Sequence, residues 1–366
     1  MKFKSRRISH IVGVSVLLCA CGAHAQSSVT LFGAIDAGVS YVSNKGGSSL
    51  WQASDGINGP NLWGLIGYED LGGGTKAIFN LINQFLLYSG AFLNHQSLFT
   101  RTAFVGLTND RWGTLTFGNQ YDFVNDYLYA VGNDPALYTG HLYGQYSGPY
   151  QNLTLPLSTN GDSDWFRASG RFANSVKYVS PTYAGFSGAA MYAFGNAAGS
   201  MGTGNAQSFA LNYANGPLGA NVVYTFGRYP ETVGSVGPQT SIQKIGAGAR
   251  YKIGSVNFSG MYLGIRNTTT GQMIYQVTPG VNWLVRPDIS LSGSYAYVKG
   301  NAVLNSAHGH QFAAIAEYFF SKRTSVYVMS VYQRASSGAL ASITGTGAIS
   351  DSQNQLVARI GMKTRF

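Results

Sequence analysis

The chain is poor in cysteine, in charge and in long apolar runs. It has two cysteines in 366 residues, Cys19 and Cys21, and both precede residue 26. The remainder therefore has no disulfide, no catalytic thiolate and no cysteine ligand for a metal. Asp, Glu, Lys and Arg make up 10% of the residues, whereas a soluble domain usually carries about 25%. After residue 25 no stretch approaches the about 18 uninterrupted apolar residues of a transmembrane helix, which excludes a helical membrane protein.

Residues 1–25 have the features of a secretory signal peptide. An apolar core at Ile11–Leu18 and a small-x-small cleavage site at Ala23-His24-Ala25 follow four basic residues, Lys2, Lys4, Arg6 and Arg7. We therefore expect residues 1–25 to be removed and the mature chain to comprise residues 26–366. One alternative is a transmembrane anchor, for which the apolar core falls well short of about 20 residues. The other is a lipoprotein signal, because Leu18-Cys19-Ala20-Cys21 loosely resembles a lipobox.

The charge pattern and the motifs argue against nucleic acid, cofactors and metals. Loss of the signal segment lowers the formal net charge from +10 to +6. The remaining charges are spaced singly, without a basic run interleaved with aromatic residues, so we expect no nucleic-acid partner. No glycine-rich loop follows a buried strand and opens a helix, so we expect no nucleotide cofactor. His308-Gly309-His310 has ligand-like spacing, but it falls in a predicted surface loop and a site needs further ligands, so we expect no metal.

The most informative stretch is the last one, Gln355–Phe366. One parity carries Arg359, Lys363 and Arg365, and the other carries the apolar residues Leu356, Ala358, Ile360, Met362 and Phe366. Period-two alternation predicts a strand with an apolar and a basic face, because a helix would scatter the basic residues among the apolar ones. Such a strand fits between lipid and water if it pairs on both edges, as in a closed barrel.

The same alternation recurs in segments close to the ~10 residues of a tilted membrane strand. It is clearest in Lys244–Ile253, in Ile289–Tyr297 and over residues 311–320, where apolar residues share one parity and polar or charged residues the other. Segments near 29–41 and 61–70 are apolar on both parities. A strand of that kind is expected to face another protein surface, which indicates a subunit interface.

The connections between these segments alternate in length. Seven short turns, most with Gly, Pro, Asn or Asp, lie near residues 71–74, 109–111, 181–184, 215–217, 254–255, 286–288 and 322–323. Eight longer polar segments lie at 43–59, 89–96, 121–166, 196–206, 228–240, 267–272, 301–309 and 336–352. This pattern predicts an all-β fold, a transmembrane up-and-down antiparallel β-barrel of sixteen strands with an aqueous lumen.

Several segments together resemble the Gram-negative trimeric general porins: Gln26–Val39, Gly64–Leu71, Arg101–Leu107, Gly113–Gln120, Asn174–Pro181 and the final strand. The resemblance covers almost the whole mature chain in order. It implies a sixteen-stranded barrel in the outer membrane, a homotrimer, and a long third loop folded into the pore as a constriction. Outer-membrane lipids, lipopolysaccharide and the barrel assembly machinery are the implied partners. Two departures are Asn119, where many relatives carry Arg, and Thr364, where many carry His.

The residues themselves also support a charged constriction. Between Trp112 and Phe166 the sequence has no Lys or Arg but five of its 14 acidic residues. We place three of them, Asp122, Asp126 and Asp134, on the acidic side of the constriction. The lumen parity of the strands carries the opposite sign, and the residues placed on the basic side are Lys76, Arg101, Arg167 and Arg171. Further basic residues of that parity are Lys177, Arg250, Arg359 and Lys363. An acidic loop facing a basic wall creates a transverse field that sorts solutes; alternatively, both sets are merely solvated.

The sequence therefore predicts an outer-membrane channel for passive diffusion of ions and small hydrophilic solutes. We expect mild anion preference, because basic residues outnumber acidic ones outside the acidic loop. Phe366 is the predicted assembly residue, since it anchors the closing strand. A barrel lipase or protease is one alternative, but it needs a nucleophile paired with histidine, and the four histidines after residue 25 fall in predicted loops. A structural or adhesin barrel is another, although such barrels usually have about eight strands. We expect no enzymatic activity.

Overall fold

The computed structural model describes residues 27–93, 97–146, 170–230, 235–347 and 349–366. The predicted signal peptide, residues 1–25, lies outside these ranges. Within them the chain forms seventeen β-strands in one sheet. The strands are β1 Ser28–Lys45, β2 Ser48–Asp55, β3 Leu62–Gly72, β4 Thr75–Gln84, β5 Thr102–Asn109, β6 Gly113–Tyr121, β7 Arg171–Val179, β8 Phe186–Ala193, β9 Ala206–Asn215, β10 Leu218–Pro230, β11 Gln239–Ile253, β12 Val256–Asn267, β13 Met273–Arg286, β14 Ile289–Gly300, β15 His308–Phe319, β16 Thr324–Ala335 and β17 Asn354–Arg365.

The sheet closes on itself where the first and last strands meet. One edge of β1 pairs with β17 along Ala34–Val42, and the other edge pairs with β3 along Ser28–Ala34. The short strand β2 lies beside the second half of β1. Among the described residues, sixteen strands, β1 and β3–β17, therefore form the ring, and each pairs antiparallel with its neighbours. The predicted sixteen-stranded antiparallel barrel is confirmed.

The first long connection differs from the prediction of a loop over residues 43–59, because it contains β2. Gly46 and Gly47 adopt φ angles of +58° and +96°. Glycine tolerates these angles, and a tight hairpin turn between β1 and β2 requires them. Across the hairpin the rings of Tyr41 and Trp51 pack with their centroids 5.1 Å apart. The prediction of an irregular loop throughout this segment is therefore wrong.

The seven short turns are confirmed, and because the strands run up and down they all lie at one rim. The strands extend further toward the long-loop rim than the alternation indicates. β11 begins at Gln239 rather than near Lys244, and His308 and His310 lie in β15 rather than in a loop. Beyond the lipid band both faces of a strand meet water, so the alternation fades while the pairing continues. Among the described residues, no three His, Cys, Asp or Glu side chains are grouped so as to hold a metal ion.

The two faces of β17 are those that its sequence predicts. Ile360 and Met362 are 63% and 50% exposed, whereas Val357 and Arg359 are 0% and 3% exposed. β11 repeats the pattern, with Ile245 of the predicted apolar face exposed. An apolar outer band is what a barrel facing lipid requires. Within the described part of the chain, no helix is both long and apolar enough to cross a membrane.

Residues 122–146, here called the inner segment, lie against the inward-facing side of the sheet. The segment contains a π-helical turn at Val124–Tyr129, a 3₁₀ turn at Pro135–Leu137 and the four-residue helix α1 at His141–Gly144. It follows β6 directly and belongs to the connection that the sequence identifies as the longest loop. Its turns are short, so the wall it lies on must supply most of its stability.

The wall and the inner segment are shaped for close contact. A Cβ atom at Gly246 or Gly248 of β11 would lie 2.6 or 2.9 Å from a methyl group of Leu128, so the segment fits there because these positions are glycine. Further along, the side-chain amide of Gln311 on β15 donates to the carbonyl oxygen of Gly144 at 3.1 Å. The buried apolar clusters lie between the segment and the wall. The interior is therefore packed along one side of the barrel.

Candidate functional site

Asp122 anchors the base of the inner segment. Its side chain is completely buried, with Oδ2 3.5 Å from Nζ of Lys244 on β11. Its Oδ1 accepts the backbone N–H of Asn125 at 3.2 Å. Burial raises the pKa of the Asp122 carboxyl, and the nearby Lys244 ammonium opposes that rise. Because Lys244 is only 2% exposed as well, the pair fastens the segment to the wall and does not face the solvent.

Asp126 is the predicted acid that stays open to solvent. Its Oδ2 lies 2.7 Å from Nζ of Lys177 on β7, and its side chain is 35% exposed, against 10% for Lys177. The side-chain amide of Asn125 donates to its other oxygen at 3.2 Å. The Lys177 ammonium also lies 5.2 Å from the ring centroid of Phe123. A pair of this kind gives the segment a local dipole and little net charge.

Asp134 shapes the turn that follows it. It is 1% exposed, and its Oδ1 accepts the backbone N–H of Ala136 at 3.0 Å. The side chain thus caps the 3₁₀ turn, with Pro135 at the first position of that turn. Of the three acids placed on the constriction, the structure leaves Asp126 open to solvent and gives Asp122 and Asp134 positions in the packed interior.

Arg101 and Arg171 meet on one aromatic ring. Their guanidinium carbons lie 5.7 and 5.8 Å from the ring centroid of Tyr121, the last residue of β6. Nη1 of Arg101 also donates to Oε1 of Gln84 at 2.5 Å, and Nη1 of Arg171 donates to the carbonyl oxygen of Thr100 at 3.4 Å. Stacking and hydrogen bonding hold both planar groups in place. The structure brings these two predicted residues together at the long-loop ends of β5, β6 and β7.

Lys76 lies elsewhere, and Arg167 lies outside the described residues. Lys76 is the second residue of β4, next to the short-turn rim, with its ammonium 5.2 Å from the ring centroid of Tyr68. Gln84, which binds Arg101, is at the other end of the same strand. At about 3.3 Å per residue the two positions are ~26 Å apart along β4. The structure therefore does not bring Lys76 together with Arg101 and Arg171.

Arg359, on the lumen parity of β17, is buried in a network at the seam of the barrel. Its Nη2 lies 3.0 Å from Oδ1 of Asp36 on β1, and its Nε donates to the hydroxyl of Tyr327 at 2.7 Å. The hydroxyl of Tyr143, near the end of the inner segment, donates to Oγ of Ser40 at 3.0 Å, and Ser40 also accepts from Arg359 at 3.1 Å. The far end of the segment is thus tied to the seam, and Arg359 is a structural residue.

Phe366 pairs with the first strand. Its backbone N–H donates to the carbonyl oxygen of Gly33 and its carbonyl oxygen accepts from the N–H of Gly33, both at 3.1 Å. The ring lies over Gly33, where a Cβ atom would be 2.2 Å from the ring carbon Cζ. The terminal residue therefore extends the β1–β17 pairing by one step, and a glycine on β1 makes room for its side chain.

Sequence reasoning missed the residues that hold the charged side chains in place. The ring of Tyr121 contacts the guanidinium groups of both arginines. No sequence motif around Tyr121 predicts this contact, because it depends on how β5 and β7 align with β6. The pairing of Lys177 with Asp126 spans 51 positions in the sequence and depends on the path of the inner segment. The sequence indicates that acidic residues of the longest loop lie opposite basic residues of the wall, but it does not indicate which acidic residue pairs with which basic residue.

The chain is similar to a known protein family and to individual proteins. The model described as Gram-negative porin matches residues 13–338. An outer membrane porin protein of Bordetella pertussis is 30% identical over 227 residues, which are 55% of this chain and 54% of that relative, so the chain spans about half of its length. Outer membrane porin protein 32 of Delftia acidovorans is 30% identical, with 69% of this chain and 68% of that protein covered. The major outer membrane protein P.IB of Neisseria gonorrhoeae is 26% identical, with 89% and 94% covered.

Solved structures share the fold. An anion-selective porin from Comamonas acidovorans superposes with a TM-score of 0.77 at 23% identity, covering 93% of this chain and 100% of that one. A deletion mutant of OmpT, an outer membrane protein of Vibrio cholerae, gives a TM-score of 0.64 at 14% identity, with 93% and 99% covered. At these identities the likeness concerns the path of the chain and not the residues of the site.

Proposed function

Because the chain belongs to the Gram-negative porin family, we propose that it is an outer-membrane diffusion channel for ions and small hydrophilic solutes, with a mild preference for anions. Porins are channels and not enzymes. The closed barrel supports the proposal, since its outward faces carry apolar residues such as Ile360 and its inward faces carry polar ones such as Gln311. A ring of sixteen strands is wide enough to enclose water.

The proposed anion preference is based on a difference between the acidic and the basic residues of the candidate site: two of the acids have a basic partner, whereas Arg101 has neutral ones. Asp122 is buried beside Lys244, and Asp126 is paired with Lys177. Among the described residues the partners of Arg101, by contrast, are the neutral side chains of Gln84 and Tyr121, and neither offsets its charge. Arg171 places a second guanidinium group on the same ring.

The inner segment sets the width over which these charges act. It occupies one side of the lumen, and the water-filled passage is proposed to run between the segment and the wall that carries Arg101 and Arg171. Low-dielectric walls focus the field of fixed charges in a narrow passage. A Debye length of about 8 Å at physiological salt is comparable to the half-width of such a passage, so screening there is partial. Asp126 weakens the field locally, and for that reason the preference is mild.

The proposed assembly is a homotrimer in contact through β1 and β3. Val29 and Leu31 of β1 are 65% and 59% exposed on the outer face, while Phe32 on the inner face is also apolar. An outward apolar surface can meet lipid or another copy of the chain, and apolar residues on both parities favour the second. We further propose outer-membrane lipids and lipopolysaccharide as neighbours of the remaining outer face. The barrel assembly machinery is the proposed partner of the last strand, which ends at Phe366.

Liposome swelling tests the channel activity directly. Vesicles containing the purified protein are diluted into isotonic glucose or into an isotonic dextran too large for the pore, and the rate of swelling is followed by turbidity. We expect fast swelling in glucose and none in dextran, with heat-denatured protein as the control. Equal behaviour of native and denatured protein would contradict the proposed channel.

A further inference from the structure

A cavity of about 590 Å³ lies below the inner segment, toward the short-turn rim. Leu137 and Tyr138 of the inner segment form its roof, and inward-facing residues of β11–β15 and β17 form its wall. Its volume is in the range of small-molecule sites. The residues described above as the candidate constriction, Arg101, Arg171 and Asp126, do not line it.

The lining is strongly cationic. Four basic residues and one acidic residue line the cavity. The basic residues are Arg250, Lys252, Lys363 and Arg365, and the acidic residue is Glu317. Glu317 lies 3.0 Å from Nζ of Lys363, so these two charges neutralise each other. Among the described residues neither Lys252 nor Arg365 forms an ion pair. The described part of the chain therefore leaves the cavity with an excess of positive charge.

The basic residues stand on two separated parts of the wall. Arg250 and Lys252 lie on β11, and Arg365 lies on β17. Arg250 is held in place by donating from Nη1 to Oδ1 of Asn133 at 3.0 Å. An anion with two charges is attracted about twice as strongly by this set of basic side chains as an anion with one charge.

Neutral donors complete the site. The side-chain nitrogen of Asn257 is buried and has no hydrogen-bond partner among the described residues, although Asn257 lines the cavity. An unpaired buried amide N–H₂ is costly, and an acceptor in the cavity removes that cost. By contrast Asn282 donates to Oγ of Ser290 at 2.8 Å and of Ser292 at 2.7 Å, so its donors are used. Asn58 also lines the cavity and has a second buried side-chain nitrogen without a partner among the described residues, so two neutral donors are left for an oxyanion.

We propose that this cavity is a saturable binding site for small doubly charged oxyanions, with room for an organic dicarboxylate. The Lys252 and Arg365 side chains supply charge, Arg250 supplies a planar fork, and Asn257 supplies a neutral donor. The site gives the pore selectivity among anions, which a diffuse field does not provide. The proposal rests on the proposed function only in that solutes reach the cavity through the pore.

Calorimetry on the purified full-length protein in detergent tests the site with sodium sulfate as the probe and sodium chloride as the reference. We expect saturable heat with sulfate and none with chloride. The double variant Lys252→Gln/Arg365→Gln should bind sulfate at least about tenfold more weakly, because two charge-assisted contacts are lost. Asn257→Asp should abolish binding by placing a carboxylate where the anion lies. Lys299→Gln, on the outward parity of β14, removes the same charge away from the cavity and should bind like the wild type.

Two checks keep the outcome decisive. Lys252→Gln alone tests the site if the Arg365 change, one residue from the terminus, impairs folding, and heat-dependent electrophoretic mobility shows which variants are folded. Absence of saturable sulfate binding in the folded wild type, or equal binding in Asn257→Asp, would overturn the proposal. Salt-gradient recordings separate this result from the general anion preference. An anion-preferring channel without sulfate binding contradicts only the site, and a cation-preferring channel that binds sulfate contradicts only the proposed preference.

Discussion

Asp36 of β1 and Arg359 of β17 form a buried ion pair, with 3.0 Å between Oδ1 and Nη2, across the junction where the last strand meets the first. The Tyr327 hydroxyl lies between them, donating to Asp36 and accepting from Arg359, both at 2.7 Å. A buried pair is stable only when its remaining hydrogen-bonding capacity is satisfied, and here Tyr327 and Ser40 satisfy it. The pair therefore joins the two ends of the chain and, through Ser40, the far end of the inner segment.

Asp36→Asn is expected to destabilise the barrel by about 3–5 kcal/mol, because Arg359 is left buried without its counter-charge. Urea unfolding of the protein in lipid vesicles measures this as a lower midpoint. Asp288→Asn is the matched control, since it breaks an exposed pair with Arg286 at the short-turn rim and should leave the midpoint unchanged. An equal shift in both variants would show that the seam pair has no special part in stability.

Phe366→Asp is expected to lower the amount of protein in the outer membrane severalfold. The ring that covers Gly33 is lost, and the strand that closes the barrel ends on a charge. Quantitative blotting of outer-membrane fractions measures the change, and Phe366→Tyr, which keeps the ring, is the control. Gly33→Val should show the same defect from the other side of the contact, because its Cβ would meet the ring. Normal levels of Phe366→Asp would rule out an assembly role for this residue.

Single cysteines test the proposed trimer, because residues 26–366 contain no other cysteine. Leu31→Cys on β1 should be linked between copies by a trifunctional maleimide, which can join three single thiols and so give a species of trimer mass on denaturing gels. Phe312→Cys on β15 is exposed to a similar degree, 54% against 59%, but lies outside the proposed contact and should remain unlinked. Monomer from both variants, together with a monomeric native mass in mild detergent, would exclude the trimer.

Asp126→Asn is expected to strengthen the anion preference, because it frees the Lys177 charge beside the passage. Asp134→Asn should change selectivity little, since Asp134 is buried in a turn, and it should keep the cap, because an asparagine oxygen accepts the Ala136 N–H as well as a carboxylate does. Reversal potentials in a salt gradient distinguish the two variants. A larger change for Asp134 than for Asp126 would mean that burial does not decide which acids act on ions.

The barrel could be predicted from the sequence because its determinants are local. Alternation in Gln355–Phe366 follows from the pleat of a strand between lipid and water, and the short turns are marked by residues such as Gly254. β2 escaped prediction, because its hairpin depends on Gly46 and Gly47 and on pairing with β1, while its sequence is polar enough for a loop.

The candidate site could be predicted only as a set of charges. Composition shows that the longest loop is acidic, and the two-residue alternation of the strands shows that the lumen parity is basic. The same alternation places Arg101 and Arg171 on the basic side. What each charge does depends on contacts between residues distant in sequence. The sequence places Asp122 in the acidic loop and Arg359 on the lumen parity, yet each has a buried partner, Lys244 and Asp36, that only the closed barrel brings near.

The reversal potential of single channels in a planar bilayer, under a potassium chloride gradient, tests the central claim that the charge of Arg101 contributes to an anion preference of the pore. The wild type should favour chloride mildly. Arg101→Ser should shift the permeability ratio toward potassium by about twofold. A unit charge ~8 Å from an ion in water contributes roughly 0.5 kcal/mol, which screening over one Debye length reduces to about 0.2 kcal/mol, with opposite signs for potassium and chloride. Lys299→Gln, with the same loss of charge on the outer face, should leave the ratio unchanged. A wild-type channel that favours potassium, or an Arg101→Ser channel that matches the wild type, would contradict the account.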